Sequence, residues 1–506
     1  MYLHDRFNYI DLKIIEYYKP ILFIIIMKIS TLKTFVLFFL LLWSVAGMTQ
    51  VTLPPFFNCN MVLQKGIEIP VWGWAKPGEK VTVTLEKNVV SVRTGKNGKW
   101  RVNLPKMEYG GPYKMTVKGK NFRTIENIMI GEVWVCSGQS NMEWKVSKTK
   151  NAEAEMAAAN YPDIRLFTVK KRVSKEPQEN LDEGEWWLCT PQSIPDFSAV
   201  GYFFGRNLYE HLKVPIGLIH TSWGGTVAET WTSAETIVTD PDLSEMLAKL
   251  KNVDMNATKV GPNNYPTLLY NGMLNPIIPY GIRGAIWYQG ESNASRAQQY
   301  KRVFPNMIKD WRTKWNQGKF PFLFVQLANF QKPVSEPSES DWAELREAQT
   351  QTLKFENTGM ATIIDAGEAD NIHPADKQVV GYRLSLAARK VAYGETLVYT
   401  GPTYKDIKID KKNIFITFDN VGKGLKVNNK YGYINGFTIA AKDGNFKWGR
   451  AKVVNENTVM VTSDEVENPA EVRYGWANNP DDLNLYNIEG LPANPFRTDS
   501  RPGKTK

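Results

Sequence analysis

The stretch GEVWVCSGQSNMEW, residues 131 to 144, carries a strand-forming run straight into a serine flanked by small and polar residues. Ser140 stands where the carboxyl end of a buried strand meets a loop, the usual ligand edge of an open α/β sheet. A serine there becomes a nucleophile only if a base takes its proton, usually a histidine held by a carboxylate. The chain has four histidines. His4 lies in the N-terminal leader, His211 ends an amphipathic helical pattern in YEHLKV, and His220 sits inside the strand IGLIHTSW, where packing is its expected role. His373, in DAGEADNIHPADK, has Asp370 three positions earlier and Pro374 right after it, with a helix beginning there. Within one turn Asp370 can reach Nδ1 of the imidazole and leave Nε2 directed at a serine. A helix cap with an incidental histidine is the other reading of those residues.

An ester carbonyl under attack also needs donors for its developing charge. SWGGT, residues 222 to 226, ends a second strand with two glycines that can expose backbone N–H groups; a plain tight turn is their simpler use. WYQGESN, residues 287 to 293, ends a third strand with Gln289, a side-chain amide donor, and Glu291. Three strand ends carrying Ser, Gly and Gln, with Asp-x-x-His later in the chain, amount to an acyl-transfer site. The G-x-S-x-G elbow is not met, because the sequence reads Gly138-Gln139-Ser140-Asn141-Met142; this argues against an α/β-hydrolase. Met142 and Trp144 are expected to wall the pocket. Cys59, Cys136 and Cys189 and the scattered histidines have no metal-ligand spacing, so neither a metal nor a cofactor is expected.

The elements that must position these residues fall into three blocks. Residues 50–127 alternate apolar and polar positions between turn signals at Pro77-Gly78 and Asn97-Gly98, the pattern of a small β-sandwich. Residues 128–395 alternate short apolar strands with helical patterns at 199–212, 297–315, 342–355 and 375–393, which argues a parallel sheet covered on both faces. Residues 141–195 and 232–264 read as long irregular insertions. From 396 to 506 the pattern reverts to β, a second sandwich with a tail. Residues 1–49 precede all of this. From Met27, MKISTLKTFVLFFLLLWSVAGMTQ has the charged, apolar and small-residue regions of a secretory signal peptide, and residues 1–26 read as translation from an upstream start. A secreted or periplasmic protein is expected.

Composition limits the function further. The hydrophobic share is 43% and the charged share 23%, ordinary for a globular chain of 506 residues. The formal charge of +10 falls to about +8 without the leader, and no Lys/Arg-rich cluster stands out, so a nucleic-acid partner is not expected. Stable membrane insertion after signal cleavage is not expected either, since the apolar run from Phe35 to Trp43 is too short. Sixteen Trp and twenty-two Tyr suit sandwich cores and also sugar-stacking surfaces.

GQSNM, SWGGT, WYQGES and DNIHP resemble the block motifs of the SGNH (GDSL-type) hydrolase superfamily, and within it the sialate O-acetylesterase family, related to carbohydrate esterase family six. NMVLQ, LYNGML, WAELREAQ, GFTIAAKDG and NLYNIEGLPANPFRTD extend the likeness over nearly all the mature chain. The resemblance implies an SGNH-type three-layer α/β/α domain flanked by two all-β sandwiches. It implies Ser140 as nucleophile, His373 as general base and Asp370 as orienting acid, with Glu291 as the rival acid. It points to Gly224, with Gly225 as rival, and Gln289 as oxyanion donors beside the Ser140 amide. The implied reaction is removal of O-acetyl groups from sialic acids, with acetylated xylan or another polysaccharide as the alternative substrate. A glycan-binding protein with an inert hydrolase domain is a different class of reading, and a lipid esterase a third. A sialic-acid carboxylate calls for a cation, and Arg346 is the candidate. Asn271 and Trp223 are expected with it in the substrate site.

Overall fold

The computed structural model describes residues 50–255 and 260–505, so the signal-peptide reading falls outside the described residues. The centre is a sheet in the order Thr358–Ala361, Phe322–Val325, Gly284–Tyr288, Phe122–Gly138, Ile216–Ser222, Tyr161–Thr168 and Trp186–Cys189. All neighbours pair in parallel except the Trp186–Cys189 edge strand, which is antiparallel. The central strands are buried along their whole length, as expected for a parallel sheet covered on both faces.

Alternate residues of one strand feed two cores. Val133, Val135 and Trp287 face one side, where Tyr300, Phe304 and Trp311 of helix Ala297–Trp315 and Leu345 of helix Asp341–Thr352 meet them. Trp134, Cys136 and Ile286 face the other, against Phe203 and Leu208 of helix Ala199–Leu212 and Leu384 and Ala387 of helix Lys377–Val391. Side chains limit three of these helices at their N-termini. Ser198 accepts from Gly201 N at 3.1 Å, Ser340 from Ala343 N at 2.9 Å and Asp376 from Val379 N at 3.3 Å.

Residues 141–195 are not irregular throughout, as the sequence suggested. They contribute two strands, Tyr161–Thr168 and Trp186–Cys189, which extend the sheet past Ile216–Ser222. Charged residues between short apolar runs hid them: Tyr161–Thr168 is fully buried only over Ile164–Phe167, and Trp186–Cys189, at the sheet edge, only at its two ends. The expected boundary at 127/128 falls inside one continuous strand, Phe122–Gly138. Its first half pairs with Gly110–Lys118, and its second half is the middle of the parallel sheet. Of the strands between Val62 and Lys118, Val62–Gln64 and Gly110–Lys118 pair with Phe122–Gly138, Lys80–Leu85 and Asn88–Arg93 follow on from Gly110–Lys118, and Ile69–Trp74 pairs with Lys99–Leu104 in a separate two-stranded sheet. Their apolar residues share a core with the central sheet. After residue 402 the chain forms antiparallel sheets around a third core of Ile414, Ile416, Phe437, Ile439, Val459 and Val472.

Arg346 belongs to this framework, and the substrate-binding expectation is corrected. The side chain has no exposure, and its guanidinium donates to four main-chain carbonyls: Leu327 (2.9 Å), Ala328 (2.8 Å), Ala477 (2.7 Å) and Asn478 (2.9 Å). It rivets helix Asp341–Thr352 to the loop after Phe322–Val325 and to the C-terminal β region. Arg346→Ala should lower stability by roughly 3 kcal/mol or more, since those buried acceptors lose a charged donor. The molecules that still fold should keep the parent KM for the acetylated sugar that the sequence motifs lead one to expect. Thermal unfolding and steady-state kinetics on the same preparation check both.

Candidate active site

Three strand ends lie level at the carboxyl edge of the sheet, because Gly138 pairs with both Ser222 and Tyr288. A Cβ on Gly138 would sit 2.1 Å from the Tyr288 carbonyl oxygen, and its φ of +142° also favours glycine. The Gln139 N–H then donates to that same oxygen at 3.0 Å. This tight crossing turns the chain into a one-turn helix, Ser140–Glu143, with Ser140 at its start.

His373 comes from the loop between Thr358–Ala361 and helix Lys377–Val391. Its Nε2 lies 2.8 Å from Ser140 Oγ. Asn371 clasps the His373 main chain from both sides, accepting from its N–H at 2.9 Å and donating to its carbonyl at 2.8 Å. Glu368 braces the loop by accepting from Asn371 Nδ2 and from Ala375 N. The imidazole stacks on Trp144 with centroids 5.0 Å apart and ring planes 20° from parallel. Trp144 is thus a wall of the site as expected. Met142 is not; it is fully buried in the core, with Ser198 Oγ against its sulfur.

Neither proposed acid touches the imidazole. Asp370 is exposed and forms no hydrogen bond or ion pair among the described residues, and Nδ1 of His373 has no partner there either. Glu291 instead accepts from Asn141 Nδ2 at 2.6 Å, beside Ser140, and burial raises its pKa. The expected oxyanion donors are engaged as well. Gln289 is fully buried and gives its amide N–H groups to Thr226 O (3.1 Å) and Asn293 Oδ1 (2.6 Å), so it points into the protein. Gly224 is in the right place, since a Cβ on it would lie 3.3 Å from Ser140 Cβ. Its N–H, however, donates to Glu143 Oε2 at 2.6 Å, and Lys171 holds the other oxygen of that carboxylate at 2.5 Å. Gly225 is exposed, with a φ of +73°.

Trp223 stays at the site edge, with the Lys171 ammonium 5.2 Å from its ring centroid. Asn271 does not: it is buried and donates to the Lys175 carbonyl at 2.8 Å. An apparently free polar side chain in LYNGML serves a turn there. Glu143, Lys171, Asn371 and Lys377 surround the site without having been singled out. A lysine or glutamate on a surface-like pattern gives no sequence signal for such a place. His211 pairs with Glu395 at 2.8 Å, and His220 is buried against Ser222 Oγ at 2.6 Å, its pKa lowered to about 4 by burial. All three cysteines are free. Among the described residues no group of three His, Cys, Asp or Glu could hold a metal ion, and no helix is long and apolar enough to cross a membrane. A cavity of about 600 Å³ lined by Tyr431, Tyr433, Trp448 and Trp476 lies in the C-terminal β region and includes neither Ser140 nor His373.

The family model described as carbohydrate esterase, sialic acid-specific acetylesterase, matches residues 130–389. The chain belongs to that family. It is 34% identical to a mouse sialate O-acetylesterase, over 87% of this chain and 93% of the relative, and 32% identical to the human one, over 88% and 93%. The crystal structure of a carbohydrate acetylesterase from Xanthomonas citri superposes with a TM-score of 0.82 at 40% identity, covering 89% of this chain and all of that one. The matched residues of the family model include both Ser140 and His373.

Burial lowers the pKa of His373, and the Lys377 and Lys148 ammonium groups lower it further. A depressed pKa keeps the imidazole neutral, and able to accept a proton, to lower pH than usual. An NMR titration of His373 should therefore give a midpoint below the ordinary histidine value of about 6.5.

Proposed function

We propose that the protein is a carbohydrate O-acetylesterase acting through an acetyl-serine intermediate, with O-acetylated sialic acid as its substrate. The observation that carries this reading is the 2.8 Å contact between Ser140 Oγ and His373 Nε2 at the carboxyl edge of the sheet. With its proton on Nδ1, His373 accepts the Ser140 hydroxyl proton through Nε2 as Oγ attacks the acetyl carbonyl. The tetrahedral adduct collapses, and the imidazolium returns the proton to the departing sugar oxygen. Water, deprotonated by the same nitrogen, then attacks the acetyl-serine, acetate leaves and the Ser140 hydroxyl is restored.

Positive charge on the imidazole in these steps draws an anion to Nδ1. Asp370 is on the same loop, exposed and unpaired, and we assign it that part; such contacts often tighten only once substrate is bound. Gly224 N–H can serve the oxyanion once the Glu143 carboxylate moves aside, and the Ser140 N–H stands next to it. The substrate preference rests on the family and on the sialate O-acetylesterases it resembles, with acetylated polysaccharide as the competing substrate. The SGNH-type domain, the two flanking sandwiches and export by the Met27 signal segment complete the proposal.

Acetate release from O-acetylated sialic acid and from acetylated xylan tests the substrate directly; faster release from xylan would reject the sialate assignment and leave the esterase. Ser140→Ala and His373→Ala should each remove most activity, and the double variant should be little worse than either, because the two act as one unit. Near-parental turnover in either single variant overturns the mechanism. Asp370→Asn should lower kcat by roughly an order of magnitude or more. An unchanged kcat would reject Asp370 as the orienting acid. EDTA should leave acetate release unaltered, and restoration by zinc after a loss would point to a metal hydrolase.

A further inference from the structure

Asn141 follows the nucleophile in the chain, and its side chain is almost completely buried at 1% exposure. Its amide makes three hydrogen bonds. Nδ2 donates to Glu291 Oε1 at 2.6 Å and to the Ile372 carbonyl at 3.0 Å, and Oδ1 accepts from Lys377 Nζ at 2.6 Å. The chemistry of the partners fixes the orientation of the amide: an ammonium can only donate, while a carbonyl and a carboxylate only accept. A flipped amide would lose all three bonds.

Ile372 immediately precedes His373, so one amide joins the neighbour of Ser140 to the neighbour of His373, across 231 positions of sequence. Among the described residues no other side-chain hydrogen bond links the Ser140–Glu143 turn to residues 370–373, apart from that between the two reacting groups themselves. We propose that Asn141 is the positioning residue that sets the Ser140–His373 distance, with Glu291 and Lys377 as the two charged jaws that fix its amide.

The jaws carry charge where charge is expensive. Lys377 has no exposure, Glu291 Oε2 is shielded with no hydrogen-bond partner among the described residues, and the Asn141 amide bridges the two. A charge-assisted bond at each end grips the amide more tightly than neutral groups could. Lys377 faces Asn141, the Tyr288 ring (5.5 Å) and the Trp144 ring (5.9 Å), with Glu291, Glu368 and Asp376 as the carboxylates that act on it. His373 in turn is acted on by the Lys377 and Lys148 cations, between Ser140 and the Trp144 ring. Burial takes the Lys377 pKa down to about 7, so the lysine jaw holds its full charge only below that pH. Glu291 thereby has a part other than that of a triad acid: it restrains the serine side of the pair.

This inference rests on the serine mechanism proposed above, and the experiment separates the two. Asn141→Asp keeps the shape and removes both N–H donors. On 4-nitrophenyl acetate it should lower kcat by about 100-fold, the scale of loss for a misplaced reacting pair, with KM close to parental. Lys377→Met should lower kcat and also move the acid limb of kcat/KM to higher pH, because a cation that opposes the imidazolium is gone. A merely structural role would lower the melting temperature of both variants and leave kcat and the acid limb alone, and that result overturns the proposal. If Asn141→Asp does not fold, by circular dichroism, an unmoved acid limb in Lys377→Met overturns it instead. Ser140→Ala is the control. If it is inactive while folded Asn141→Asp turns over normally, only the positioning role fails; if Ser140→Ala is active, the serine mechanism itself fails.

Discussion

The site depends on a crossing in which two main chains come closer than any side chain allows. Gly138 ends the central strand against the carbonyl oxygen of Tyr288, and the next residue bonds to that same oxygen. The contact stops the strand, starts the one-turn helix and places the Ser140 hydroxyl above the sheet edge. Parallel register brings Ser222 and Tyr288 to the same level, so the loops after both strands open beside the serine. The histidine loop is the one component that arrives from elsewhere, and it has to be held in place by side chains.

Charge around the pair is arranged asymmetrically. Two cations act on the imidazole, Lys377 and Lys148, each within 6 Å of the Trp144 ring centroid, while Glu291 accepts from the residue after Ser140. The field therefore favours a neutral histidine at rest. Glu143 and Lys171 add a partly exposed ion pair over the Gly224 amide, so a backbone donor near the serine is covered by a carboxylate. In the proposed reaction an ester oxygen takes the place of that carboxylate.

Much of this was legible in the sequence because it depends on pattern. The helices 199–212 and 297–315 coincide with their apolar stripes, and the strand runs before GQSNM, SWGGT and WYQGES are strands. The pairing of Ser140 with His373 could be inferred by elimination, since His211 ends a helical pattern and His220 lies inside a strand; in the structure these two pair with Glu395 and Ser222. What failed was side-chain direction. Arg346, Asn271 and Gln289 are polar residues in motifs that surround a site, but each one points inward and satisfies main-chain carbonyls or neighbouring amides. Sequence periodicity says which face of an element is buried. It does not say whether a polar residue at its end turns toward the ligand or toward a turn that needs a donor. Asp370 shows a related limit: spacing in the chain gave its reach but not its rotamer.

The 17-residue strand Phe122–Gly138 has a consequence for how such a protein can be divided. Its early residues are zipped to a hairpin partner in the N-terminal β region, and its last residue positions the nucleophile. The N-terminal region is therefore not a cassette that could be exchanged at a linker. A cut at that border would sever the one strand that carries the backbone up to Ser140, so a truncation that removes the N-terminal region also removes half of the sheet's middle strand.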